Sequence, residues 1–440
     1  MRKMKDSGIE WIGEIPENWD TIRVKHLATE KDTLFLDGDW INSDVIVDEG
    51  IRYLTSGNVG EGVYKEQGKG YISEETFNKL NCLTVYPGDL MISRLNEPVG
   101  RCCIVPEGEE YYVVAVDNVI LRPNHNFHKK YLLYCMNTTG YARAALMAAS
   151  GTTMQRISRT SLGNMAVPVT SYEEQFLIAD YLDKKCAEID AIIAAKEKTN
   201  ELLKERRQSI IYEAVTKGLD PTVPMKDSGI EWIGKIPESW SFSKLKYDAY
   251  MKGRIGWQGL KADEFIEEGT YLVTGTDFED GKVRWERSYH ISEERFNEAP
   301  EIQLKEQDLL ITKDGTIGKL AYIDYLPGLA SLNSHLLVIR PKRERFLNKY
   351  LYWVLSSDVF VQYTEYAQDG TIMASLSQEK ISQFVFGLPS IQEQQMIAKY
   401  LDEQCAEIDA LISANESTIE KLKEYRQSVI YEAVTGKVEI

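Results

Sequence analysis

Cysteine and histidine are scarce in this chain of 440 residues, with six and five copies respectively. No two cysteines have a Cys-x-x-Cys spacing, so neither a zinc ribbon nor a disulfide framework is predicted. His125 and His128 are three residues apart, but no carboxylate is close to them in sequence, which argues against a metal site there. Buried or incidental thiols are expected at Cys82, Cys102, Cys103, Cys135, Cys186 and Cys405.

Long apolar runs are also missing. No stretch approaches the roughly 18 apolar residues that a membrane span needs, and the first residues, MRKMKDSG, lack the apolar core of a signal peptide. Apolar residues nevertheless make up 43% of the chain and aromatic residues 10%, which is ample for folded cores. The sequence therefore predicts a folded, cytoplasmic protein of two or three domains.

Motifs for catalysis are missing as well. The chain has no G-x-x-x-x-G-K-[ST] phosphate loop, no G-x-G-x-x-G after a predicted strand and no H-E-x-x-H zinc motif. It also lacks the Asn/Asp-Pro-Pro-aromatic tetrapeptide with which amino methyltransferases hold the amino group that they modify. We therefore expect no enzyme activity from this chain alone, and a binding or scaffolding function is the prediction.

The net charge of −17 argues, taken by itself, against nucleic-acid binding. The charge is uneven, because residues 118–172 contain no Asp or Glu, and residues 340–345 read RPKRER. These basic residues could form a basic face on an acidic body, or they could point in several directions and form no patch. Those in the acid-free stretch are Arg122, Lys129, Lys130, Arg143, Arg156 and Arg159.

The chain contains two copies of one sequence unit. A tag at residues 4–19, MKDSGIEWIGEIPENW, returns at residues 225–240 as MKDSGIEWIGKIPESW. The tags and the long helical stretches are almost copied, whereas the segments between them share only framework residues. The predicted order is a tag at 1–19, a globular domain at 20–171, a helix at 172–218, a linker with the second tag at 219–240, a second globular domain at 241–390 and a second helix at 391–436.

Residues 181–215 and 400–434 each predict one long helix. After Cys186 and Cys405, apolar residues follow at three- and four-residue steps, and no Pro or Gly interrupts them. Each apolar seam needs a partner, and chain connectivity favours antiparallel pairing of the two helices. Lys196, Asn200 and Asn415 interrupt the seam midway, where polar core positions can fix register and orientation.

The segments between tag and helix mix two kinds of pattern. Runs at 111–116, 308–312 and 336–339 predict strands, while 129–136 and 348–356 predict short helices. We therefore expect an α+β protein in which two globular domains, each with a mixed, largely antiparallel sheet and short helices, are separated by two long antiparallel coiled-coil helices in an internal pseudo-twofold repeat.

Four strand-end loops recur in both halves and carry polar side chains. They pair 56–58 with 274–276, 93–101 with 312–319, the turn before 117–118 with 331–335, and 151–158 with 370–377. Arg and Lys can bind guanine in a major groove, and Asn and Gln can bind adenine. Ordinary solvated or turn-forming residues are the alternative. The candidates for DNA contact are Asn58, Arg94, Asn96, Arg101, Gln155, Arg156, Thr276, Lys313, Asp314, Thr316 and Lys319.

The repeated elements together resemble a known family. The GIEWIG-x-IPE-x-W tag, the D-L-[LM]-I-[ST] and G-T-x-M-x-x-[IL]-S segments, the E-x-Q before each helix and the AEID…Q-S-[IV]-I-Y-E-A-V-T helix all occur twice. In this pattern the chain is similar to the specificity subunit of type I restriction-modification systems. The second half also has GTIGK, whereas the first half departs from it with SRLNEPVGR.

The resemblance implies a DNA-binding chain with two target recognition domains, each of which reads one half of an asymmetric, interrupted site on double-stranded DNA. It implies as partners two adenine-N6 methyltransferase (modification) subunits that carry S-adenosylmethionine, and ATP- and Mg-dependent restriction subunits. No cofactor is expected on this chain itself. Trp11 and Trp232 in the tags are candidate partner contacts, and packing against the helix base is the alternative. A coiled-coil adaptor without DNA sequence preference, or an enzyme with an unrecognised site, would be rival functions.

Overall fold

The structure is a computed structural model that describes residues 2–95, 98–151, 154–254, 260, 264–313, 318–367 and 377–440. The chain divides into two compact units. Unit 1 comprises Met1–Lys196 and Glu416–Ile440, and unit 2 comprises Glu197–Asn415. Each unit thus contains one globular part and a segment of each long helix.

Unit 1 is built from short strands and helices that are followed by the first long helix. In chain order they are β1 Met4–Asp6, β2 Glu14–Pro16, β3 Asp20–Arg23, β4 Leu34–Asp37, β5 Ile51–Leu54, β6 Gly70–Ile72, α1 Glu74–Leu80, β7 Leu90–Ser93, β8 Cys102–Ile104, β9 Val113–Val114, β10 Asn118–Arg122, α2 Lys129–Met136, α3 Thr139–Met147, α4 Arg159–Asn164, β11 Ala166–Val169 and α5 Tyr172–Lys217.

Unit 2 repeats this order with three additional elements, α6, β17 and β18, and α11 returns to unit 1. The elements are β12 Met225–Asp227, β13 Lys235–Pro237, β14 Ser241–Lys244, α6 Leu245–Asp248, β15 Ala249–Lys252, β16 Thr270–Val273, β17 Phe278–Glu279, β18 Lys282–Val283, β19 Tyr289–Ile291, α7 Glu293–Asn297, β20 Leu309–Thr312, β21 Leu320–Tyr322, β22 Ala330–Leu332, β23 Leu336–Pro341, α8 Asn348–Leu355, α9 Asp358–Ala367, α10 Gln378–Gln383, β24 Val385–Leu388 and α11 Ile391–Val434.

The two globular parts have the same sheet topology. Unit 1 has an antiparallel four-stranded sheet in the order β4-β10-β7-β8, and unit 2 has its counterpart β15-β23-β20-β21. A three-stranded sheet follows in each, β6-β5-β9 and β19-β16-β22, with one parallel pair. The predicted α+β class with a largely antiparallel mixed sheet is therefore confirmed.

Most predicted elements lie where the sequence pattern placed them. The short helix predicted at 129–136 is α2, and the one predicted at 348–356 ends one residue earlier as α8. The strand predicted at 111–116 is shorter, because only Val113 and Val114 pair along β5. The flanking Tyr112 and Ala115 pair instead with Val85 and Asp39 in isolated bridges, so the extended run has several partners rather than one long strand neighbour.

The structure also corrects the repeat register at one loop. The sequence comparison paired Asn58 with Thr276. In the structure, Thr55 and Asn58 form a capping box around the 3-10 turn Ser56–Asn58, and Thr274 and Asp277 form the same box around Gly275–Asp277. Asn58 therefore corresponds to Asp277, because the shared glycine that guided the comparison does not occupy the same place in the turn.

Copied residues of the tags and helices tie each helix to its own globular part. The indole of Trp19 donates to Glu174 at 3.0 Å, and that of Trp240 donates to Glu393 at 3.0 Å. The fully buried Gln175 of α5 accepts from the backbone of His128 and donates to that of Thr170. Gln394 of α11 repeats these bonds in unit 2. The adjacent Glu-Gln that occurs at the start of both helices thus has a structural cause, because a buried amide needs partners.

The apolar seam of the long helices is buried at both cysteines and half-buried at Ile193, Leu203 and Ile210. In unit 1, Cys186 packs in one core cluster with Val429 and Ile430 of α11, and in unit 2 Cys405 packs with Ile211 of α5. The two helices run antiparallel within unit 2, because Asn200 meets Asn415 and Arg207 meets Asp409. The predicted antiparallel pairing is confirmed there.

All six cysteines are free and buried, as expected for structural thiols. Burial raises the pKa of the Cys82 and Cys405 thiols to about 11 and that of Cys103 to about 12. A thiol reacts as its thiolate, so these side chains are chemically inert near neutral pH.

Candidate nucleic-acid interface

Most of the predicted contact residues of unit 1 lie at one end of its four-stranded sheet, the sheet edge, where strands begin and end. Strand β4 ends at Asp37 and β7 ends at Ser93, whereas the antiparallel β10 begins at Asn118. Asn118 pairs with Ser93, and the next residue along β10 pairs with Asp37. The loops that follow these strand ends must therefore lie side by side.

The loop around Arg156 is attached to this edge by backbone hydrogen bonds. Ser150 and Arg156 exchange two bonds of 2.9 Å, and the amide of Ile157 donates to the Arg94 carbonyl at 3.0 Å. The amide of Arg94 in turn donates to the Asp117 carbonyl at 2.9 Å. The main chain thus fixes the Cα positions of Arg94 and Arg156 at one sheet edge.

Three arginines share two carboxylates at this edge. Arg94 is buried, and its Nη1 lies 2.5 Å from Oδ1 of Asp37, while Nη1 of the half-buried Arg159 lies 3.4 Å from the other oxygen. Arg156 Nη2 lies 2.9 Å from Asp117, and 46% of its side chain is exposed. Arg156 is thus accessible to a ligand, whereas Arg94 acts inside the fold. The sequence analysis did not select Asp37 and Asp117, because an acid beside DNA is not an obvious signal.

Arg101 holds two candidate loops together. Its guanidinium donates to the carbonyl oxygens of Val59, Leu95, Pro98 and Ser56 at 2.7 to 3.1 Å. Burial lowers the pKa of Arg101 from its ordinary value. The side chain therefore shapes the loops 56–58 and 93–101, and a direct contact with a ligand stays a prediction.

Asn58 also has a structural position. Its side chain is buried, accepts from the Thr55 amide at 2.8 Å and donates to the carbonyls of Lys65 and Gln67 at 2.9 Å. Both N–H donors of the Asn58 amide are therefore occupied. Gln155 is half-buried beside the exposed Arg156.

The corresponding edge of unit 2 brings three predicted residues close together. The amide of Lys313 donates to His335 at 3.0 Å, as Arg94 does to Asp117 in unit 1. Lys319 is exposed and its amide donates to Thr312 Oγ1 at 2.9 Å. Thr276 is exposed on the neighbouring turn. Of the other candidates, Asn96, Asp314 and Thr316 lie outside the described residues.

The two tag tryptophans pack on a short helix of their own globular part. Trp11 meets Tyr141 of α3 edge to face with ring centroids 5.7 Å apart, beside a cavity of about 450 Å³ lined also by Arg143 and Met147. Trp232 contacts Tyr363 and Tyr366 of α9 at 5.3 and 5.1 Å. Both are half-buried, so a role in partner binding stays a prediction.

Residues 118–172 contain no Asp or Glu, but carboxylates from other segments lie beside their basic side chains in the structure. Arg122, Lys130, Arg156 and Arg159 each pair with a carboxylate from outside residues 118–172, namely Asp89, Asp183, Asp117 and Asp37. These basic side chains therefore do not form one uniform patch. Within the described parts of the chain, no group of three or more metal-binding side chains comes together, and no helix is both long and apolar enough to cross a membrane.

Comparison with known proteins identifies the fold. A chain from a structural study of complex assembly and conformational transition in a type I restriction-modification system matches with a TM-score of 0.74 at 15% identity, over 96% of this chain and 99% of that one. The HsdS subunit from Thermoanaerobacter tengcongensis matches with a TM-score of 0.55 at 15% identity, over 96% and 98%. The predicted two-domain architecture with long central helices is that of these structures.

Sequence relatives agree. The putative type I restriction enzyme MjaX specificity subunit of Methanocaldococcus jannaschii is 24% identical and aligns over 98% of this chain and 96% of its own length. The EcoBI specificity subunit of Escherichia coli is 23% identical over 71% of this chain and 66% of its own length. A family model described as the type I restriction modification DNA specificity domain matches residues 16–204 and 256–421. The chain therefore belongs to the family of type I restriction-modification specificity subunits.

Proposed function

We propose that this chain reads an asymmetric, interrupted site on double-stranded DNA, with each unit recognising one half. It would thereby direct adenine-N6 methylation and restriction by partner subunits of a type I complex. The observation that carries the proposal is the contrast between a repeated framework and two different sheet edges. The edge of unit 1 presents Arg156 beside Asp117, whereas that of unit 2 presents Lys319, with His335 in the place of Asp117.

The framework is repeated down to single ion pairs. Arg122 of β10 binds Asp89 in unit 1, and Arg340 of β23 binds Asp308 in unit 2. A shared framework with different edges is suited to two recognition modules of one kind that bind two different sequences. Half-site recognition by paired modules is a common solution for long DNA sites.

Exposed apolar positions on the long helices support the proposal of two identical partner subunits. Leu177 and Ile192 of α5 are exposed, and so are Met396 and Leu411 at the equivalent positions of α11. Exposed apolar side chains on a helix suit a protein partner. The partners would be two methyltransferase subunits, and Trp11 and Trp232 would be further contacts. A restriction subunit would join this complex.

Chemistry would reside in these partners. We propose that S-adenosylmethionine, ATP and Mg bind to the partner subunits and that this chain has no catalytic activity of its own. The proposed setting is the cytoplasm, where the target DNA lies.

The test is selection of binding sites from random duplex DNA by the complex assembled with its methyltransferase subunits. We expect an enriched motif with two defined halves and an unspecified spacer. Replacing residues 20–171 with those of a relative should change one half and leave the other. A complex that assembles but enriches no motif would instead support an adaptor without sequence preference.

A further inference from the structure

Arg156 has the features of an arginine that reads a base, and this inference rests on the proposed function. Its backbone is fixed on both sides, by the two bonds with Ser150 and by the bond from Ile157 to Arg94. Its guanidinium forms an ion pair with Asp117, in which Nη2 lies 2.9 Å from Oδ1, and 46% of the side chain is exposed. An exposed arginine is normally mobile, so two independent restraints on this one are a specific arrangement.

The pairing leaves donors free for a ligand. A guanidinium has five N–H donors in a planar fork, and Asp117 is its one ion-pair partner among the described residues. The remaining N–H groups can bind two acceptors at once, as O6 and N7 of guanine require in the major groove. Because the ion pair with Asp117 already limits the orientations of the free side chain, less side-chain entropy remains to be lost on binding.

The carboxylate paired with Arg156 favours a base over a phosphate at this position. Asp117 is 32% exposed and Asp37, which binds Arg94 and Arg159, is 28% exposed. A phosphate at Arg156 would lie next to the Asp117 carboxylate and be repelled by it, whereas a guanine edge is neutral. Asp117 itself can accept a hydrogen bond from the N4 amino group of cytosine, so the pair suits a G·C base pair.

We propose that Arg156, oriented by Asp117, reads a guanine in the half-site bound by unit 1. Arg94 is a positioning residue: it is buried, and its carbonyl and its contact with Asp37 hold the edge on which the Arg156 loop rests. The proposal predicts that one G·C position of one half-site depends on this arginine and that the other half-site does not.

The experiment is site selection with the assembled complex carrying R156A, R156K or D117N, with R23A as a control at an exposed arginine on β3. We expect R156A to reduce the preference for guanine at one position roughly tenfold to a hundredfold. R156K should relax the same position while retaining affinity, because lysine keeps the charge but not the planar fork. D117N should weaken the preference at that position, and R23A should leave the motif intact.

Three results would overturn the assignment. An unchanged motif with R156A would show that Arg156 reads no base. A uniform loss of affinity for all sequences, with a weaker salt dependence, would identify a phosphate contact. If the position whose preference R156A removes selects adenine or thymine in the wild type, the assignment to guanine is wrong. Absence of any two-part motif from the wild-type complex would overturn the proposed function as well, so the two failures are distinguishable.

Discussion

The guanidinium of Arg122 donates two hydrogen bonds to the carboxylate of Asp89, from Nε at 2.9 Å and from Nη2 at 2.6 Å. Asp89 is almost fully buried, with 2% of its side chain exposed. Arg340 and Asp308 form the same double bond in unit 2, at 2.6 and 2.5 Å. Each pair joins the end of one central strand to the start of its neighbour, and each therefore supports the sheet whose opposite edge carries the candidate interface.

The variant R122A should destabilise unit 1 selectively. It leaves a buried carboxylate without its cation, and we expect the free energy of unfolding to fall by roughly 2 to 4 kcal/mol. Hydrogen exchange resolved by peptide would measure this as lost protection in β7 and β10. R340A is the matched control and should act on β20 and β23. Unchanged protection of β7 in R122A would contradict the prediction.

The sequence predicted the framework better than it predicted the site. Long-range repetition and the apolar seam at Cys186 and Cys405 identified the helices and the family, because these signals extend over many residues. The α+β class followed from the mixture of short strand and helix patterns between each tag and its helix. The roles of Arg94, Arg101 and Asn58 could not be predicted in the same way. A polar residue in a strand-end loop looks the same whether it faces solvent or satisfies buried carbonyls, and only the contacts with distant loops distinguish the two.

Arg101 should matter through the shape of its loops. R101A removes the donor from four carbonyl oxygens, and we expect a loss of roughly 1 to 3 kcal/mol in the free energy of unfolding. Site selection should show weaker base preferences in the half-site of unit 1 and unchanged preferences in the other half-site. K319A is the control, because the equivalent Lys319 is exposed and its removal should change stability by less than about 0.5 kcal/mol. Equal losses in the free energy of unfolding for R101A and K319A would contradict the structural role of Arg101.

His128 should make unit 1 sensitive to mild acid. Burial, with a smaller contribution from the charge of Lys130, lowers the pKa of His128 from its ordinary value of 6.5. The unfolded chain therefore takes up a proton at higher pH than the folded one, so stability is complete above about pH 6.5 and falls as the pH drops below it.

The variant H128L should remove this dependence, since Leu347 occupies the equivalent place in unit 2 and makes the same backbone bond to a helix glutamine. Urea unfolding of the wild type and H128L between pH 5 and 8 measures the effect. Parallel curves for the two proteins would show that His128 does not titrate between the folded and unfolded states.

The pair Asn200 and Asn415 should fix the register of the two helices in unit 2. Asn415 Nδ2 donates to Asn200 Oδ1 at 2.9 Å, and Asn200 is only 7% exposed. The single variant N200L removes one partner and should cost about 1 to 3 kcal/mol. The double variant N200L/N415L should recover that loss, because two leucines pack where two amides had to be desolvated.

The double variant should no longer hold the two helices in a single register, since a leucine pair tolerates more than one alignment. Spin labels on cysteines introduced at the exposed Lys204 and Leu411 would report the distance between the helices, and the buried native thiols should stay unlabelled. We expect one narrow distance in the wild-type background and a broader or divided distribution in N200L/N415L. A distribution equally narrow in both would mean that the apolar seam alone sets the register and that the asparagines have another role.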